Sequence, residues 1–187
     1  MKILKNPKTE SYLKLKELVL DSDFSWHWVG ESTFNLNSPG FDNFGYYSHI
    51  FLERPDKSSR LYPIPKSDHL DLVYRTIIEM VVENNIHPDV IYRINANCTH
   101  PTKKNIPSVP HYDHSFKHHN LLIYLNDCNK GHTIIDGKPY YGKEDDVILF
   151  EGIHNHEPPI ENRRIVIVCT LLLPNKSILN NKRKYTS

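Results

Sequence analysis

The alternation of apolar and polar positions divides the chain into a partly helical N-terminal half and a β-rich C-terminal half. Between Thr9 and Leu20 the apolar residues recur at helical spacing, which predicts a short amphipathic helix. A stronger helical pattern follows Ser67, the predicted N-cap, and ends near Asn84. Residues 22–66 show no long period, so they predict irregular loops with a few short strands.

From residue 90 onward the pattern is that of short β-strands separated by turn residues. Two helices followed by a series of short strands predict an α+β fold that is mainly β, with the helices buttressing a β-sandwich or jelly roll. The apolar runs of this half are VIYRINANC at 90–98, LLIYL at 121–125, HTII at 132–135, VILF at 147–150 and RRIVIVCTLLL at 163–173.

A chain of 187 residues fits one domain, with room for one core and a cavity. We expect a single domain over 1–187. Within it, residues 1–89 support the core, residues 90–173 form the β core, and residues 174–187 form a basic tail.

Charge and cysteine content exclude several classes of protein. Lys and Arg number 23 against 22 Asp and Glu, so no basic field favours a nucleic acid partner, although a flipped base or a single strand needs little basic surface. Three cysteines without C-x-x-C spacing fit neither a disulfide framework nor a thiolate metal site. No apolar stretch approaches the ~20 residues that cross a bilayer, so we expect no membrane association and a cytoplasmic location.

The candidate chemistry lies among the 12 histidines. In an extended segment His111 and Asp113 point to the same face, so an imidazole and a carboxylate converge. His156 lies in a turn between two strands and can supply the third ligand; His154, two residues earlier, can share its face. Two imidazoles and one carboxylate leave three coordination positions open, as iron(II) oxygenases require. His114, His118 and His119 flank the first ligands, and we expect them to be rim residues.

A cation for the far carboxylate of a keto acid follows the third ligand in the sequence. Arg163 and Arg164 open the last strand. The planar guanidinium group binds a carboxylate through two parallel hydrogen bonds, which a lysine ammonium cannot do.

Taken together, these residues give the segment 91–172 a specific resemblance. It resembles the catalytic core of the 2-oxoglutarate/iron(II)-dependent dioxygenase superfamily, in the branch that includes prolyl hydroxylases and compact oxygenases of bacteria and phages. One departure is Gly131-His132, where the family often has Gly-Gly. The motifs that carry the resemblance are His111-x-Asp113, LLIYLND at 121–127, Gly131-x-Thr133, VILFEG at 147–152, His156-Glu157-x-Pro159 and Arg164.

The resemblance implies a double-stranded β-helix over 90–173 that binds Fe(II), the co-substrate 2-oxoglutarate and O2. By the same resemblance, His111, Asp113 and His156 hold the iron. Tyr124 reaches the 2-oxoglutarate and Arg164 pairs with its C5 carboxylate. The interval from His156 to Arg164 is slightly short for the family, which leaves Arg163 as the alternative partner.

The implied activity is hydroxylation of an unactivated C–H bond in a peptidyl residue or a small molecule, with release of succinate and CO2. Halogenating relatives leave the carboxylate position vacant, so Asp113 favours hydroxylation. The competing hypothesis is a cupin-like metal-binding jelly roll that acts without 2-oxoglutarate. Arg164 separates the two, because a cupin needs no buried cation on its last strand.

Overall fold

The computed structural model describes residues 1–30, 45–55, 62–103 and 106–174. Within these ranges the chain is mainly β, with antiparallel sheets and two helices, as the sequence predicts. The predicted basic tail lies outside the described residues, except for Pro174.

Two helices and thirteen strands make up the described part of the chain. The helices are α1 (Glu10–Leu20) and α2 (Leu70–Glu83). The strands are β1 (Lys2–Leu4), β2 (His27–Val29), β3 (Tyr46–Glu53), β4 (Ile64–Pro65), β5 (Val90–Thr99), β6 (His119–Tyr124), β7 (Asn129–Lys130), β8 (Thr133–Ile135), β9 (Lys138–Tyr140), β10 (Val147–Phe150), β11 (His154–His156), β12 (Pro159–Glu161) and β13 (Arg164–Leu172).

One large antiparallel sheet forms the frame of the molecule. Its strand order is β1-β10-β6-β13-β5-β3-β2, and β4 pairs with β3. Two smaller sheets have the orders β11-β8-β9 and β12-β7. The N-terminal strands therefore extend the large sheet at both edges: β1 beside β10, and β3 beside β5.

Each face of the large sheet packs against a different layer. Along β13, Ile165 and Ile167 belong to the larger apolar core, which includes the buried faces of both helices. Val166 and Val168 point to the other face and join a smaller core with Ile135 of β8. The alternation follows from the two-residue period of a strand and places the helices and the small sheets on opposite sides.

The two helices form for the reasons that the sequence suggests, with one correction. Thr9 caps α1 by accepting a hydrogen bond from the backbone of Tyr12, and α1 buries one apolar face. The predicted N-cap of α2, Ser67, is wrong, because α2 begins after His69. The Ser67 hydroxyl caps a preceding turn instead, where it accepts from the His69 backbone at 3.2 Å. No helix among the described residues has the length and apolarity needed to cross a membrane.

The region predicted as irregular contains a long strand. Strand β3 has eight residues and pairs with β5 through a register that includes Ser48 and Asn97. Its inward side is polar at Ser48, so the period-two apolar pattern that identifies a half-buried strand is interrupted.

The carboxylate of Asp145, in the loop before β10, links this loop to α1. The side chain of Asp145 contacts the Nζ atoms of Lys8 and Lys16 at 2.6 Å and accepts from the hydroxyl group of the buried Tyr12. Burial opposes ionisation of Asp145, but the hydrogen bonds from Lys16, Lys8 and Tyr12 outweigh it and lower its pKa to about 2.

Asp145→Asn is expected to lower the free energy of unfolding by about 2 kcal/mol at neutral pH, because charge-assisted hydrogen bonds are lost. A carboxyl whose pKa falls from 3.8 to about 2 on folding stabilises the protein above pH 3.8 and ceases to do so as the pH drops toward 2. The difference between wild type and variant should therefore shrink over that interval in urea titrations. Asp23→Asn, at an exposed position, is the matched control. A constant difference at every pH would contradict the role given to Asp145.

Candidate active site

The site is assembled by a backbone pairing between residues 108–111 and β11. His111 and His154 exchange two backbone hydrogen bonds, of 2.8 and 3.0 Å, and lie directly opposite each other. Ser108 is bonded in turn to the backbone of His156. Since alternate residues of a strand share a face, this register points the side chains of His111, His154 and His156 the same way.

The three imidazoles are close enough to share one metal ion. Each offers one ligand nitrogen, and these atoms all lie within 4.8 Å of one another. The ring centroid of His154 is 4.6 Å from that of His111 and 5.2 Å from that of His156. Burial lowers the pKa of His154 to about 4, and burial together with the Arg164 charge lowers the pKa of His156 well below its usual value. Both rings are neutral at physiological pH, as metal ligation requires.

Asp113 lies beside the three imidazoles, with one carboxylate oxygen engaged and the other near His154, but the group that is close enough to share an ion consists, among the described residues, of the three imidazoles alone. Its Oδ1 accepts a hydrogen bond of 2.8 Å from Arg93 of β5, and its Oδ2 lies 3.6 Å from Nε2 of His154. Arg54 donates to the backbone carbonyl of Asp113 at 2.9 Å. Burial opposes ionisation of this carboxyl, but the Arg93 charge and the three neighbouring imidazoles together outweigh burial and hold the pKa of Asp113 well below its usual range.

Arg164 lies inside the molecule at the start of β13. Its side chain is 3% exposed and donates from Nη2 to the Thr133 hydroxyl at 2.8 Å, while its Nε has no hydrogen-bond partner among the described residues. A Cβ on Gly131, which has a φ of +70°, would lie 3.1 Å from Cδ of Arg164. Arg163, by contrast, is exposed, and its carbonyl accepts from Asn126. Arg164 is therefore the buried cation of the pair.

Tyr124 contacts Arg164 directly through its ring and indirectly through the Thr133 hydroxyl. The Tyr124 hydroxyl lies 2.7 Å from the Thr133 hydroxyl, and the Arg164 guanidinium lies 5.3 Å from the centre of the Tyr124 ring. The ring packs closely on Gly142, where an added Cβ would approach it to 2.3 Å.

A cavity of about 1300 Å³ joins these groups. It opens between the large sheet and the segment that carries His111 and Asp113. Two flanking histidines predicted as rim residues, His114 and His118, are buried, and Nε2 of His114 lies 2.7 Å from the Thr170 hydroxyl. The residues that combine ionisable or polar side chains with a place in the cavity wall include His111, Asp113, His154, His156, Arg164, Arg93, Arg54, Asn95 and Asn97.

The sequence reasoning did not identify Arg93 and Arg54. Arg93 stands in the apolar run VIYRINANC, two residues before Asn95 and four before Asn97, so it shares their face of the strand. A cation on the inward face of a strand needs a partner. The need for such a partner was the feature of the sequence that could have identified Arg93, and in the structure Asp113 is that partner.

Comparison with solved structures identifies the fold. A 2OG-Fe(II) oxygenase family oxidoreductase from Burkholderia pseudomallei is similar over 91% of this chain and 86% of its own, with a TM-score of 0.63 and 13% sequence identity. This chain has the fold of the 2OG-Fe(II) oxygenases. The resemblance drawn from the sequence motifs is confirmed at the level of the fold.

A second solved structure has a similar fold. The non-heme alpha ketoglutarate dependent epimerase SnoN from nogalamycin biosynthesis aligns with 91% of this chain and 77% of its own, with a TM-score of 0.54 and 10% identity. The amino-acid sequence itself matches no protein-family model and no curated protein. Membership of the prolyl hydroxylase branch stays a prediction.

Arg93→Gln is expected to weaken binding of a divalent metal such as Mn2+ by about 10-fold to 100-fold, the usual effect of losing a group that orients a metal ligand. The variant keeps a hydrogen-bond donor near Asp113 but removes the charge. Calorimetric titration at neutral pH measures the change. Arg75→Gln, on the exposed side of α2, is the matched control and should bind as wild type does. Equal affinity in the two variants would exclude this role for Arg93.

Proposed function

We propose that the protein is an Fe(II)/2-oxoglutarate-dependent oxygenase that hydroxylates an unactivated C–H bond of a peptidyl residue or a small molecule, with release of succinate and CO2. The observation that carries the proposal is the content of one cavity: neutral imidazoles, the ionised Asp113 and the buried Arg164 all face it. The oxygenase fold supports the same activity.

The architecture fits the double-stranded β-helix that the motifs imply. The smaller apolar core lies between the large sheet and β8, since it joins Ile135 to Val166 and Leu122. Two facing sheets around a cavity, with the helices packed outside, are the arrangement of a jelly roll.

The donor set fits iron(II). His111, Asp113 and one further imidazole would hold the metal and would leave coordination positions for a bidentate keto acid and O2. When bound, iron(II) and 2-oxoglutarate supply the oxidising chemistry, in which one oxygen atom of O2 enters succinate and the other enters the substrate C–H bond. The protein contributes the ligands, the orientation of Asp113 by Arg93 and a wall that limits access of water.

Either His156 or His154 can be the third ligand. The sequence favours His156, and His154 was the alternative. The contacts favour His154, because its Nε2 lies beside Asp113 and its ring is nearer to His111 than the ring of His156 is, at 4.6 against 5.8 Å. The Arg164 charge contributes to the lowered pKa of His156, which supports a position of His156 on the co-substrate side.

Arg164 is the proposed partner of the C5 carboxylate of 2-oxoglutarate. A buried guanidinium with an unpaired Nε and no carboxylate partner among the described residues can form a charge-assisted bond with an entering anion. Tyr124 would hold Arg164 in place through Thr133, a position one step further from the co-substrate than the motif alone implies. Arg163 has the weaker support because it is exposed.

The substrate remains a small molecule or a peptidyl residue in this proposal. The near-balanced charge of the chain gives no support to a nucleic acid as the partner. The cytoplasmic location stays a prediction.

One observation favours the competing cupin-like function. Three imidazoles lie within reach of one ion, and a cupin uses three or four histidines. Such a protein would have no use for the buried Arg164. A requirement for 2-oxoglutarate therefore separates the two functions.

The decisive test is anaerobic addition of Fe(II) and 2-oxoglutarate to the full-length protein. We expect a weak visible charge-transfer band, followed by succinate when air is admitted. His111→Ala should lose both, since it removes a ligand common to every assignment. Native protein that shows no band and forms no succinate would refute the proposed function.

The choice of third ligand predicts a difference between two alanine variants. His154→Ala should reduce metal affinity by more than the roughly 100-fold that loss of an outer residue causes, whereas His156→Ala should bind metal with a smaller loss. Metal titration of both, beside wild type, measures this. The reverse order of affinities would assign the ligand to His156.

Arg164→Ala is expected to raise the 2-oxoglutarate concentration for half-maximal band intensity by about 30-fold or more, because it removes one partner of a buried charge pair. Metal affinity should change little. Arg164→Lys keeps the charge without the planar fork and should give an intermediate value. Arg163→Ala is the control. If the 2-oxoglutarate requirement rose in this variant alone, the C5 carboxylate would be assigned to Arg163 instead of Arg164.

A further inference from the structure

The face of the large sheet that lines the cavity changes from apolar to polar at β5. Strands β6 and β13 present Leu122, Val166 and Val168 to the cavity. On β5 the cavity side is polar at alternate positions, while the opposite side, at Ile94, Ala96 and Cys98, belongs to the apolar core. Polar groups are costly to bury unless they bind something, so the polar face requires partners. The polar residues of this face, with those of the adjoining β3, include Ser48, Glu53, Arg93, Asn95, Asn97 and Thr99; the Glu53 carboxylate lies 3.3 Å from the Lys66 Nζ.

The hydrogen bonds on this face leave one amide unsatisfied. Asn95 donates from Nδ2 to the Ser48 hydroxyl at 3.2 Å, and Ser48 donates to Oδ1 of Asn97 at 2.9 Å. Asn95 is only 4% exposed, and its Oδ1 has no partner among the described residues. Exchanging N and O in both amides reverses the direction of this chain and still leaves one atom of Asn95 unpaired. A bound molecule can supply that partner.

Two cations in the cavity wall, Arg164 and Arg54, have no carboxylate partner among the described residues, and Arg164 is already assigned to 2-oxoglutarate. Arg93 is matched by Asp113, and the Lys117 Nζ lies 3.8 Å from a carboxylate oxygen of Glu151. Arg54, just beyond the end of β3, lines the cavity and contacts only the backbone carbonyl of Asp113, with no carboxylate partner among the described residues. Arg54 is exposed in part, and its partial burial together with the Arg93 charge lowers its pKa, while the Asp113 charge acts in the opposite direction; a further anion beside it would also be stabilising.

We propose that Ser48, Arg54, Asn95 and Asn97 form the substrate subsite, and that the substrate is a small polar molecule bearing one carboxylate group. Arg54 binds the carboxylate, and Asn95 makes a hydrogen bond with a second polar group of the substrate. One unmatched guanidinium balances one carboxylate, and its planar fork suits that anion. The inference rests on the proposed function, because it takes the remainder of the cavity as the place of metal and 2-oxoglutarate.

Matched pairs of small ligands test the charge requirement. The full-length protein is loaded with Zn2+ and saturating 2-oxoglutarate, so that the Arg164 site is filled. N-acetyl-L-leucine, N-acetyl-L-threonine and lactate are each compared with the corresponding primary amide by ligand-detected NMR titration. We expect the acids to bind about tenfold more tightly than the amides, since a charge-assisted bond replaces a neutral one.

Two variants assign the effect to the subsite. Arg54→Gln should abolish the preference for acids and leave the amides bound as in wild type, whereas Asn95→Ala should weaken acid and amide by a similar factor. Arg75→Gln on α2 is the matched control and should keep the preference. Amides that bind as well as acids, a preference that survives Arg54→Gln, or binding by no pair would each overturn the inference.

The two proposals fail in distinguishable ways. The Fe(II) and 2-oxoglutarate band is measured on wild type and on the Arg75→Gln control, because Arg54 donates to the backbone carbonyl of Asp113 and its replacement is not neutral toward that proposed metal ligand. A normal band without any preference for acids removes the substrate subsite alone. Absence of the band in wild type removes the proposed function, whatever the small ligands do.

Discussion

The site depends on one backbone pairing, the two hydrogen bonds between His111 and His154. They join residues 108–111 to β11, and so bring the imidazole of His111 beside those of His154 and His156. A shift of one residue in this register would turn every side chain of β11 to the opposite face. Ser108 secures the register, since its hydroxyl and its backbone both bond to the backbone of His156. Because the register is fixed by backbone atoms, the ligand side chains are free for chemistry.

Around this pairing, the charged side chains of Asp113 and Arg164 are each held by a protein partner. Asp113 is held by Arg93 through one carboxylate oxygen, which leaves the other beside the imidazoles. Arg164 is held by Thr133 through one nitrogen, which leaves Nε unpaired. In both cases an isolated buried charge would be costly, and a single protein partner stabilises it while keeping one functional atom available. Arg93 and Thr133 therefore stabilise the charges of Asp113 and Arg164 and leave one functional atom of each side chain available.

The sequence predicted the helices and strands more completely than the residues that hold Asp113 in place. Periodicity identified both helices, and apolar runs identified the strands β5, β6, β10 and β13, because these signals are local. It missed the extent of β3, whose inward polar residue Ser48 belongs to the cavity. The His111-x-Asp113 spacing fixed a shared face, but Arg93 and Arg54 reach Asp113 only through the tertiary fold, across 20 and 59 positions of the chain.

The departure at His132 also has a tertiary explanation. His132 Nδ1 lies 2.6 Å from a carboxylate oxygen of Glu157, and the Glu157 backbone donates to the His132 carbonyl. A side chain at this position therefore helps to tie the segment before β8 to the end of β11. Which of His154 and His156 is the metal ligand could not be derived from spacing, because alternate residues of one strand share a face.

Anomalous diffraction at the iron absorption edge, from crystals grown anaerobically with Fe(II) and 2-oxoglutarate, is the most direct test of the central claim. The account predicts one strong peak within bonding distance of His111, Asp113 and one of the two β11 histidines, with the C5 carboxylate of 2-oxoglutarate on Arg164. A peak held by three imidazoles with Asp113 still turned to Arg93 and no keto acid on Arg164 would contradict it.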